Sequence, residues 1–587
     1  MNKSLKKDTV FLAMTALEDF WDQSMPIIFL GEWCLRYSRK HIWQRYKGKI
    51  VYYGWLSYGE FEKDCLYIEQ FYEEIIVSIS DILNQIHSTN FSTQYWRIMI
   101  GPWLQWYITT AYDHYRALKF ASEQYINIIT IGLDSRDYVV PIDTIDFVWR
   151  CQDDSYNLQI FTNIAIRMGW KLSFKRHTQP AAYCENGFNS TKIKNIIFRL
   201  AFGKYKKKIV CNLEYFSRAS FLKLSLFSQM RIVKYYHQTK NTLDSITTNQ
   251  LLRTKCCCEL KQEGQDQFKN IVTTMIFGDM PLVFLEGYKV FNPTEQKDVN
   301  DRPKAIFSAN AWYFDEHFKY WAAYWRECGV PLLGTQHGGN YGSTLVHESE
   351  KHERRITDKY YSWGWQGDGV KPMPPSKLAG RRPIGASNRK KGILFVTNIE
   401  ARYLWSISSI TYHFPDYINS QFIFMKSLGE GLIDQVILRL HREDMGWDLR
   451  LRWKDFYPQV YIDDWSTPLL ERLQTCKLYV CDHLSTTFLE ALSANVPTIL
   501  FWRQNYFLLR EDAKIFYNEL HKVGILHYSP EDAAQWVEKV YPDVEAWWND
   551  SKIQEVREKF CNNFANTSDN YIKEWASELM NVSGEGL

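Results

Sequence analysis

The chain has 587 residues, and its 70 Lys and Arg nearly balance its 67 Asp and Glu, so the formal charge is only +3. This balance excludes a strongly basic nucleic-acid-binding protein as the default class. A hydrophobic fraction of 45% is too high for a disordered chain, and no apolar run approaches the roughly 20 residues that span a bilayer. The start of the chain is basic, but the apolar stretch after it is short and lacks a cleavage site, so we expect no signal peptide. The length suggests two to four domains.

The twelve cysteines are scattered along the chain. Their only cluster, Cys256-Cys257-Cys258, has neither CxxC spacing nor a nearby His pair that would complete a zinc site. Reduced thiols in a cytoplasmic protein are therefore the simplest interpretation.

The first 185 or so residues alternate strand-like apolar runs with longer helical stretches, which is typical of an α/β fold. Residues 26–31 and 128–133 are predicted strands. Apolar residues recur at helical spacing across residues 69–90, which predicts an ordinary amphipathic helix.

Residues 191–240 form a strongly basic stretch. They contain twelve Lys and Arg against one acid, Glu214, so this stretch carries +11 and the rest of the chain carries −8. Aliphatic and aromatic residues lie between the charges, which is typical of a segment that binds an anionic membrane surface. The alternative is a solvated loop packed on an acidic neighbour.

A second α/β segment follows a Pro- and Gly-rich stretch at 371–391, which has no periodicity and is predicted to be a linker. Strands alternate with helices after it, which predicts a parallel doubly wound sheet. The predicted strands are 392–397, 436–440, 478–481 and 497–501, with a helix at 487–494 and further helices across 530–579.

The predicted strand at 478–481 leads into a hydroxyl triplet, Ser485-Thr486-Thr487, that opens a helix. Hydroxyls and the free N–H groups of the first helical turn can together bind an anion at the carboxyl edge of the sheet. A plain helix cap is the alternative. The strand at 436–440 ends in His441-Arg442, and if the two strands are neighbours, these cations and hydroxyls would bind one phosphate.

A second motif lies in the first half, at residues 330–342, where a predicted strand leads into Gln336-His337-Gly338-Gly339-Asn340. The glycines allow a ligand to approach the backbone, and an exposed His can act as a base, an acid or a phosphate donor. The alternative is a glycine-rich turn with a structural His.

Three carboxylates are weaker candidates for the cleft. They are Glu32 after the first strand, Glu286 in an apolar run, and Asp315 in an aromatic context. The sequence contains no Asp-x-Asp triplet, Gly-x-Gly-x-x-Gly fingerprint or P-loop, so we expect no metal site and no cofactor.

The chain resembles GT-B glycosyltransferases, which have two Rossmann-like domains facing a central cleft. His441 together with Ser485-Thr486-Thr487 resembles the His and Ser/Thr motifs with which sialyl- and Kdo-transferases hold CMP, although Arg442 stands where those families usually have Pro. Gln336-His337-Gly338 resembles a motif of capsule and O-antigen transferases. From residues 11–13 and 30–34 to 485–490, nearly the whole chain is similar to a family of O-antigen-cluster transferases.

The resemblance implies an acceptor-side α/β domain at 1–370 with a basic insertion at about 191–265. It also implies a linker at 371–391, a nucleotide-binding Rossmann-like domain at 392–530 and C-terminal helices at 531–587. The implied activity is metal-independent transfer of an ulosonic acid, Kdo or a nonulosonic acid, from a CMP-sugar to a glycan or lipid-linked acceptor of O-antigen or capsule. The protein would be cytoplasmic, with peripheral membrane binding through residues 192–240.

The resemblance also implies roles for the candidate residues. The nucleotide-binding residues would be His441, Arg442, Ser485, Thr486, Thr487 and Glu490. The catalytic candidates are Glu32 first, then His337, Glu286 and Asp315, with Gln336, Gly338, Gly339 and Asn340 binding substrate. Two alternatives stay open: a CDP-polyol phosphotransferase of the teichoic-acid type, and a non-catalytic saccharide-binding scaffold with the same fold.

Overall fold

The computed structural model describes residues 6–55, 57–179, 205–236, 246–260, 264, 266–291, 301–379, 391–407 and 414–582. Within these residues, no helix is both long and apolar enough to cross a membrane. The cysteines in these ranges are all free thiols.

A small parallel sheet begins the chain. Its strands are β1 (Lys6–Ala13), β2 (Ile27–Phe29) and β3 (Tyr125–Ile129), in the order β2-β1-β3. Two further strands, β4 (Ile131–Leu133) and β5 (Ser173–Lys175), pair with each other. The predicted amphipathic helix is confirmed as part of a longer one, Tyr58–His87, whose apolar stripe is buried. We call residues 6–179 the first unit.

A six-stranded parallel sheet, called here the middle sheet, follows. Its strands are β6 (Ile209–Asn212), β7 (Ile232–Lys234), β8 (Ala305–Ser308), β9 (Leu332–Thr335), β10 (Lys359–Ser362) and β11 (Val370–Pro372). Their order is β11-β10-β9-β8-β6-β7. The described part of the basic stretch thus supplies β6 and β7, and β6 lies inside the sheet between β7 and β8.

A second six-stranded parallel sheet, the C-terminal sheet, is built from the last third of the chain. Its strands are β12 (Lys391–Val396), β13 (Val436–Arg439), β14 (Tyr461–Ile462), β15 (Cys476–Cys481), β16 (Thr498–Phe501) and β17 (Leu526–His527). Their order, β14-β13-β12-β15-β16-β17, is the 3-2-1-4-5-6 order of dinucleotide-binding folds. The predicted doubly wound sheet is confirmed, as is the α/β fold with two Rossmann-like domains.

Helices connect the strands and cover the sheets. Those of eight or more residues in the described ranges are Tyr58–His87, Thr93–Gln124, Asp154–Arg167, Arg218–Phe227, Gln250–Leu260, Glu316–Glu327, Glu348–Ile356, Phe414–Ser427, Leu449–Phe456, Thr486–Ser493, Glu511–Lys522, Pro530–Val540, Ser551–Phe564 and Tyr571–Val582.

The last helix, Tyr571–Val582, returns to the middle sheet. Trp575 packs in one apolar cluster with β6 and β8 residues, and its indole N–H donates to the Pro374 carbonyl at 2.8 Å. Glu578 accepts from Lys359 at 2.5 Å and also pairs with Lys371. The start of the predicted linker, 371–379, is thereby packed against the C-terminal helix, whereas 380–390 lie outside the described residues. The last helix therefore ties the end of the chain to the middle sheet.

Candidate functional site

The loop after β9 in the middle sheet meets the turn after β15 in the C-terminal sheet. The backbone N–H of Gly339 donates to the Thr486 hydroxyl at 3.0 Å. A Cβ built on Gly339 would lie 2.2 Å from the carbonyl carbon of Ser485, closer than real Cβ atoms come to any such group. The two motifs that were predicted in separate halves of the chain are therefore brought together at one point between the two sheets.

Gln336 holds the shape of this loop. Its side-chain amide donates to the Gly338 carbonyl at 2.8 Å, and its side-chain oxygen accepts from Trp363 N–H at 3.0 Å and from the Trp365 indole at 2.9 Å. Gln336 is buried. The structure thus places this predicted substrate-binding residue beneath the loop, with its polar atoms bonded to the protein.

Asn340 completes the turn with a left-handed φ of 74°. Its carbonyl accepts from the N–H groups of Ser343 and Thr344, at 3.1 and 3.0 Å. Its side-chain oxygen is buried without a hydrogen-bond partner among the described residues. A buried amide oxygen without a partner loses hydrogen-bond energy, so this atom is available to a ligand donor.

His337 forms a pair with a buried carboxylate. Its Nε2 lies 2.9 Å from Glu353 Oε1, and the Tyr341 hydroxyl lies 2.7 Å from the same nitrogen. The His337 side chain is 21% exposed, whereas that of Glu353 is 0% exposed. With the Nε2 proton directed at the carboxylate, Nδ1 carries the lone pair that can accept a proton.

Three tyrosines stabilise the Glu353 carboxylate. The hydroxyls of Tyr313 and Tyr341 donate to Oε1 at 2.8 and 3.0 Å, and that of Tyr360 donates to Oε2 at 2.8 Å. Burial, followed by the charge of Glu353, raises the pKa of all three tyrosines well above the usual value. They therefore remain protonated donors at neutral pH.

Glu353 was missed by the sequence analysis. It lies on the helix Glu348–Ile356, whose buried residues Glu350, Glu353 and Ile356 recur at a spacing of three. The sequence contains this spacing, but charged residues at helical spacing usually face water, so the pattern alone did not indicate a buried carboxylate.

On the opposite side, Ser485 caps the helix Thr486–Ser493. Its hydroxyl accepts from Thr487 N–H at 3.3 Å and lies 3.0 Å from the Thr487 hydroxyl, which also accepts from Tyr479. Glu490, one turn further on, is buried and lies 3.7 Å from the ammonium of Lys377. The predicted triplet thus provides hydroxyls and first-turn amides at a helix N-terminus, which suits a phosphate.

A buried acid and imidazole immediately precede this turn and were also missed. Asp482 accepts from Tyr417 at 2.7 Å, from Gln421 at 2.9 Å and from His483 Nδ1 at 2.8 Å. Burial alone would lower the pKa of His483, but its contacts with Cys481 and Asp482 raise it to about 10. His483 and Asp482 therefore form a buried ion pair directly before the helix N-terminus.

The strand order makes the turn after β15 a candidate ligand-binding position. β12 and β15 are neighbours, and the chain leaves β12 to one side of the sheet and β15 to the other, which creates a crevice at their carboxyl ends. Thr397, directly after β12, is buried, and its hydroxyl has no partner among the described residues. The Gln421 side-chain oxygen is buried and unpartnered in the same way.

The middle sheet has its own crevice, between β6 and β8, where its order changes direction. Tyr215, after β6, stacks on the His337 ring at a centroid distance of 6.3 Å and accepts from Asn310, after β8, at 2.6 Å. The predicted Asp315 caps the helix Glu316–Glu327 and accepts from Asn212 at 2.9 Å. Asp315 therefore supports this edge through a hydrogen bond to the end of β6.

The strands bearing His441 and Ser485 are not neighbours, because β12 lies between β13 and β15. The condition under which these cations and hydroxyls would bind one phosphate, that the two strands are neighbours, is therefore not met. The order of the strands depends on which faces the connecting helices cover, which sequence periodicity does not encode. His441 and Arg442 are exposed after β13, and His441 Nδ1 accepts from Glu443 N–H at 3.1 Å.

The other two predicted carboxylates form no hydrogen bond with His337 or Ser485 within the described residues. Burial raises the pKa of Glu32, the charge of Arg452 opposes this rise, and the charge of Asp416 adds to it. Glu32 therefore faces the C-terminal part of the chain. Glu286 binds the fully buried Arg253 at 2.6 Å. Burial would raise the pKa of Glu286, but Arg253 holds it below its usual value. Glu286 therefore fixes neighbouring helices through an ion pair.

No group of three or more His, Cys, Asp or Glu side chains within the described ranges is arranged to hold a metal ion.

Several solved structures show a weak similarity to this chain. They include the glycosyltransferase SnogD from Streptomyces nogalater, at 12% identity over 65% of this chain and 100% of that one, with a TM-score of 0.30. UDP-GlcNAc 2-epimerase from Neisseria meningitidis is 10% identical over 64% and 100%, with a TM-score of 0.32. Trehalose-6-phosphate synthase OtsA is 10% identical over 64% and 99%, with a TM-score of 0.34. These similarities are too weak to carry an argument about substrate.

No curated protein matches the sequence. A family model does match it, across residues 10–579, and so covers the first unit, both large sheets and the returning C-terminal helix. The chain therefore belongs to the LIC12162 family of transferases.

Proposed function

We propose that this transferase is a glycosyltransferase that uses a nucleotide-activated sugar. The observation that carries the proposal is the contact between Gly339 and Thr486, which joins a His–carboxylate pair to a helix N-terminus between two parallel sheets. The helix N-terminus and its hydroxyls suit the donor phosphate, and the His–Glu pair suits removal of a proton from an acceptor hydroxyl. The two chemical requirements of glycosyl transfer thus meet at one place.

In the proposed reaction, the bond between the anomeric carbon and the donor phosphate oxygen breaks, and the phosphate leaves with the electron pair. The acceptor hydroxyl oxygen forms the new bond to the anomeric carbon and gives its proton to His337. Glu353 stabilises the imidazolium that results, while Ser485, Thr486 and the first-turn amides stabilise the departing phosphate. Glu32 is the carboxyl that we propose for stabilising positive charge at the anomeric carbon, because it faces Asp416 and Arg452 near the helix that follows β12.

For the donor we propose a CMP-ulosonic acid, Kdo or a nonulosonic acid, transferred to a glycan or lipid-linked acceptor of a surface polysaccharide. The support is the resemblance of His441 and Ser485-Thr486-Thr487 to CMP-binding motifs. We also propose that transfer needs no divalent metal, because a nucleoside monophosphate is a leaving group of low basicity that fixed hydrogen-bond donors can stabilise.

The test is calorimetric titration of the full chain with CMP, CDP, UMP and UDP. We expect CMP to bind most tightly. The double variant Ser485→Ala, His441→Ala should weaken CMP binding. Arg442→Ala removes a charge beside His441 but no hydroxyl, so it separates the effect of charge on CMP binding from that of the hydroxyl. Incubation with a CMP-ulosonic acid or CDP-glycerol then distinguishes a glycosyltransferase from a polyol phosphotransferase. Absence of binding to every nucleotide would contradict both enzymatic assignments and favour a scaffold.

We further propose that the basic stretch binds anionic membranes near a lipid-linked acceptor. Its helix Arg218–Phe227 exposes Leu222, Leu226 and Phe227, at 53%, 61% and 47%, beside two cations of the same helix, Arg218 and Lys223. Cosedimentation with phosphatidylglycerol liposomes should fall as salt rises and fall again in a Leu222→Ser, Leu226→Ser variant. Salt-independent binding, or binding unchanged by the variant, would contradict the proposal.

A further inference from the structure

A surface cavity of about 430 Å³ lies in the first unit, and none of its lining residues belongs to the contact between the two large sheets. Its walls are formed by Leu35, Gly48 and Ile50 together with Trp43, Gln44, Lys47, Lys49 and Tyr53. Small-molecule sites in proteins have volumes of roughly 300 to 1,000 Å³ and combine apolar and aromatic walls with a few polar groups. The cavity has both the size and the composition of a ligand site.

The stretch of sequence that forms this cavity carries charge of one sign. No Asp or Glu occurs in residues 33–59, whereas six Lys and Arg occur in residues 36–49. Three of the six, Arg36, Arg39 and Lys40, are paired with acids from other segments. Lys47 and Lys49, which line the cavity, are exposed and form no ion pair with another residue in the described ranges. These two ammonium groups are therefore available to a ligand anion.

The aromatic walls add a second kind of recognition. Tyr53 is 56% exposed, so its ring is accessible to a ligand in the cavity. Trp43 is held in place because its indole N–H donates to the Arg36 carbonyl at 2.8 Å. Rigid rings with one apolar face and one polar edge pack well on the carbon face of a sugar ring. Gln44 supplies an amide for sugar hydroxyls.

We propose that this cavity binds a negatively charged saccharide segment, with a sugar ring on Trp43 or Tyr53 and its carboxylate or phosphate on Lys47 and Lys49. The inference rests on the proposed function, since such a segment would be part of the acceptor. Leu35, which lines the cavity, directly follows the short helix Glu32–Cys34. A saccharide bound there lies next to the segment that carries Glu32.

The experiment is calorimetric titration of the full chain with tri-galacturonic acid, and with maltotriose as the neutral saccharide. We expect only the acidic trisaccharide to bind, and its affinity to fall about tenfold or more in a Lys47→Ala, Lys49→Ala variant. A Lys522→Ala, Lys552→Ala variant changes the net charge equally on exposed residues near the C-terminus and should bind as wild type does. Inorganic phosphate and glucose 6-phosphate, titrated separately, distinguish recognition of the anion alone from recognition of the charged sugar.

A Tyr53→Ala variant tests the stacking contact, and it should weaken the trisaccharide while leaving inorganic phosphate unaffected. The inference would be overturned if both lysine variants lost the same affinity for the acidic trisaccharide, or if maltotriose bound as tightly as the acidic trisaccharide. Titration of the wild-type chain with both CMP and the acidic trisaccharide separates the two proposals. A wild-type chain that binds the nucleotide but not the saccharide refutes only this cavity, whereas one that binds the saccharide but not the nucleotide refutes only the proposed donor site. CMP should bind the Lys47→Ala, Lys49→Ala variant as tightly as wild type.

Discussion

The two sheet edges that meet at the candidate site differ in the chemistry they contribute. The middle sheet contributes ionisable groups, His337 with the fully buried Glu353. The C-terminal sheet contributes neutral hydroxyls and backbone amides at a helix N-terminus, Ser485 and Thr486. Buried ionisable pairs are suited to moving a proton, and fixed dipoles are suited to holding an anion without changing protonation. The difference indicates that each sheet performs one half of the proposed reaction.

The largest effect should come from separating the two edges. Gly339→Ala would place a methyl group 2.2 Å from the Ser485 carbonyl carbon, so the edges must move apart. We expect transfer activity to fall on the order of a thousandfold, equivalent to about 4 kcal/mol. Gly338→Ala is the matched control, because its methyl group would make an ordinary contact at 3.4 Å with the Thr486 hydroxyl. Equal activity of the two variants would show that the contact has no role.

A pH effect should appear on the middle-sheet side. Burial raises the pKa of Glu348, on the same helix as Glu353, to about 7 from 4.5. The folded chain therefore holds this proton more tightly than the unfolded chain, and stability is lost as pH rises from about 4.5 to 7. Glu348→Gln cannot ionise, so it should be more stable than wild type by about 3 kcal/mol at pH 8 and little changed at pH 4.5.

Thermal unfolding at the two pH values measures this difference. Glu511→Gln serves as the control, because the Glu511 side chain is 89% exposed. If the difference in stability between Glu348→Gln and wild type is the same at both pH values, the raised pKa of Glu348 is contradicted.

A moderate effect is expected from the His–carboxylate pair. Glu353→Gln keeps the size of the side chain but removes the charge that stabilises the His337 imidazolium, so kcat should fall roughly thirtyfold, or about 2 kcal/mol. Nucleotide binding should be unchanged, because the proposed site of the donor phosphate is on the other edge. Tyr360→Phe removes one donor to the same carboxylate and should have a smaller effect. Loss of nucleotide binding in Glu353→Gln would contradict the division of roles.

The smallest effect is expected from one hydroxyl on the C-terminal edge. Thr486→Val keeps the shape of the side chain but leaves the Gly339 N–H without its acceptor, at a cost of about 1 kcal/mol. Nucleotide affinity should fall about fivefold. The Thr487 hydroxyl accepts from Tyr479, away from the loop, so Thr487→Val should weaken nucleotide binding less than Thr486→Val does. A larger loss of nucleotide affinity in Thr487→Val would contradict the role given to Thr486.

Much of the fold could be predicted from local patterns. The predicted strand at 392–397 is observed as Lys391–Val396, and the predicted helix at 487–494 is observed as Thr486–Ser493. These elements have continuous apolar runs or capping hydroxyls, which are local signals. The position of Glu353 was not predictable, because three tyrosines from separate segments stabilise it.

By itself, the sequence determined that this protein is an α/β chain with a hydroxyl-capped helix after one strand and a glycine-rich His loop after another. Only the tertiary structure decided that these two motifs touch, that β12 separates His441 from Ser485, and that His337 is paired with Glu353. The reason is physical. Secondary structure follows from neighbouring residues, whereas strand order and buried charge pairs depend on contacts between residues distant in the chain.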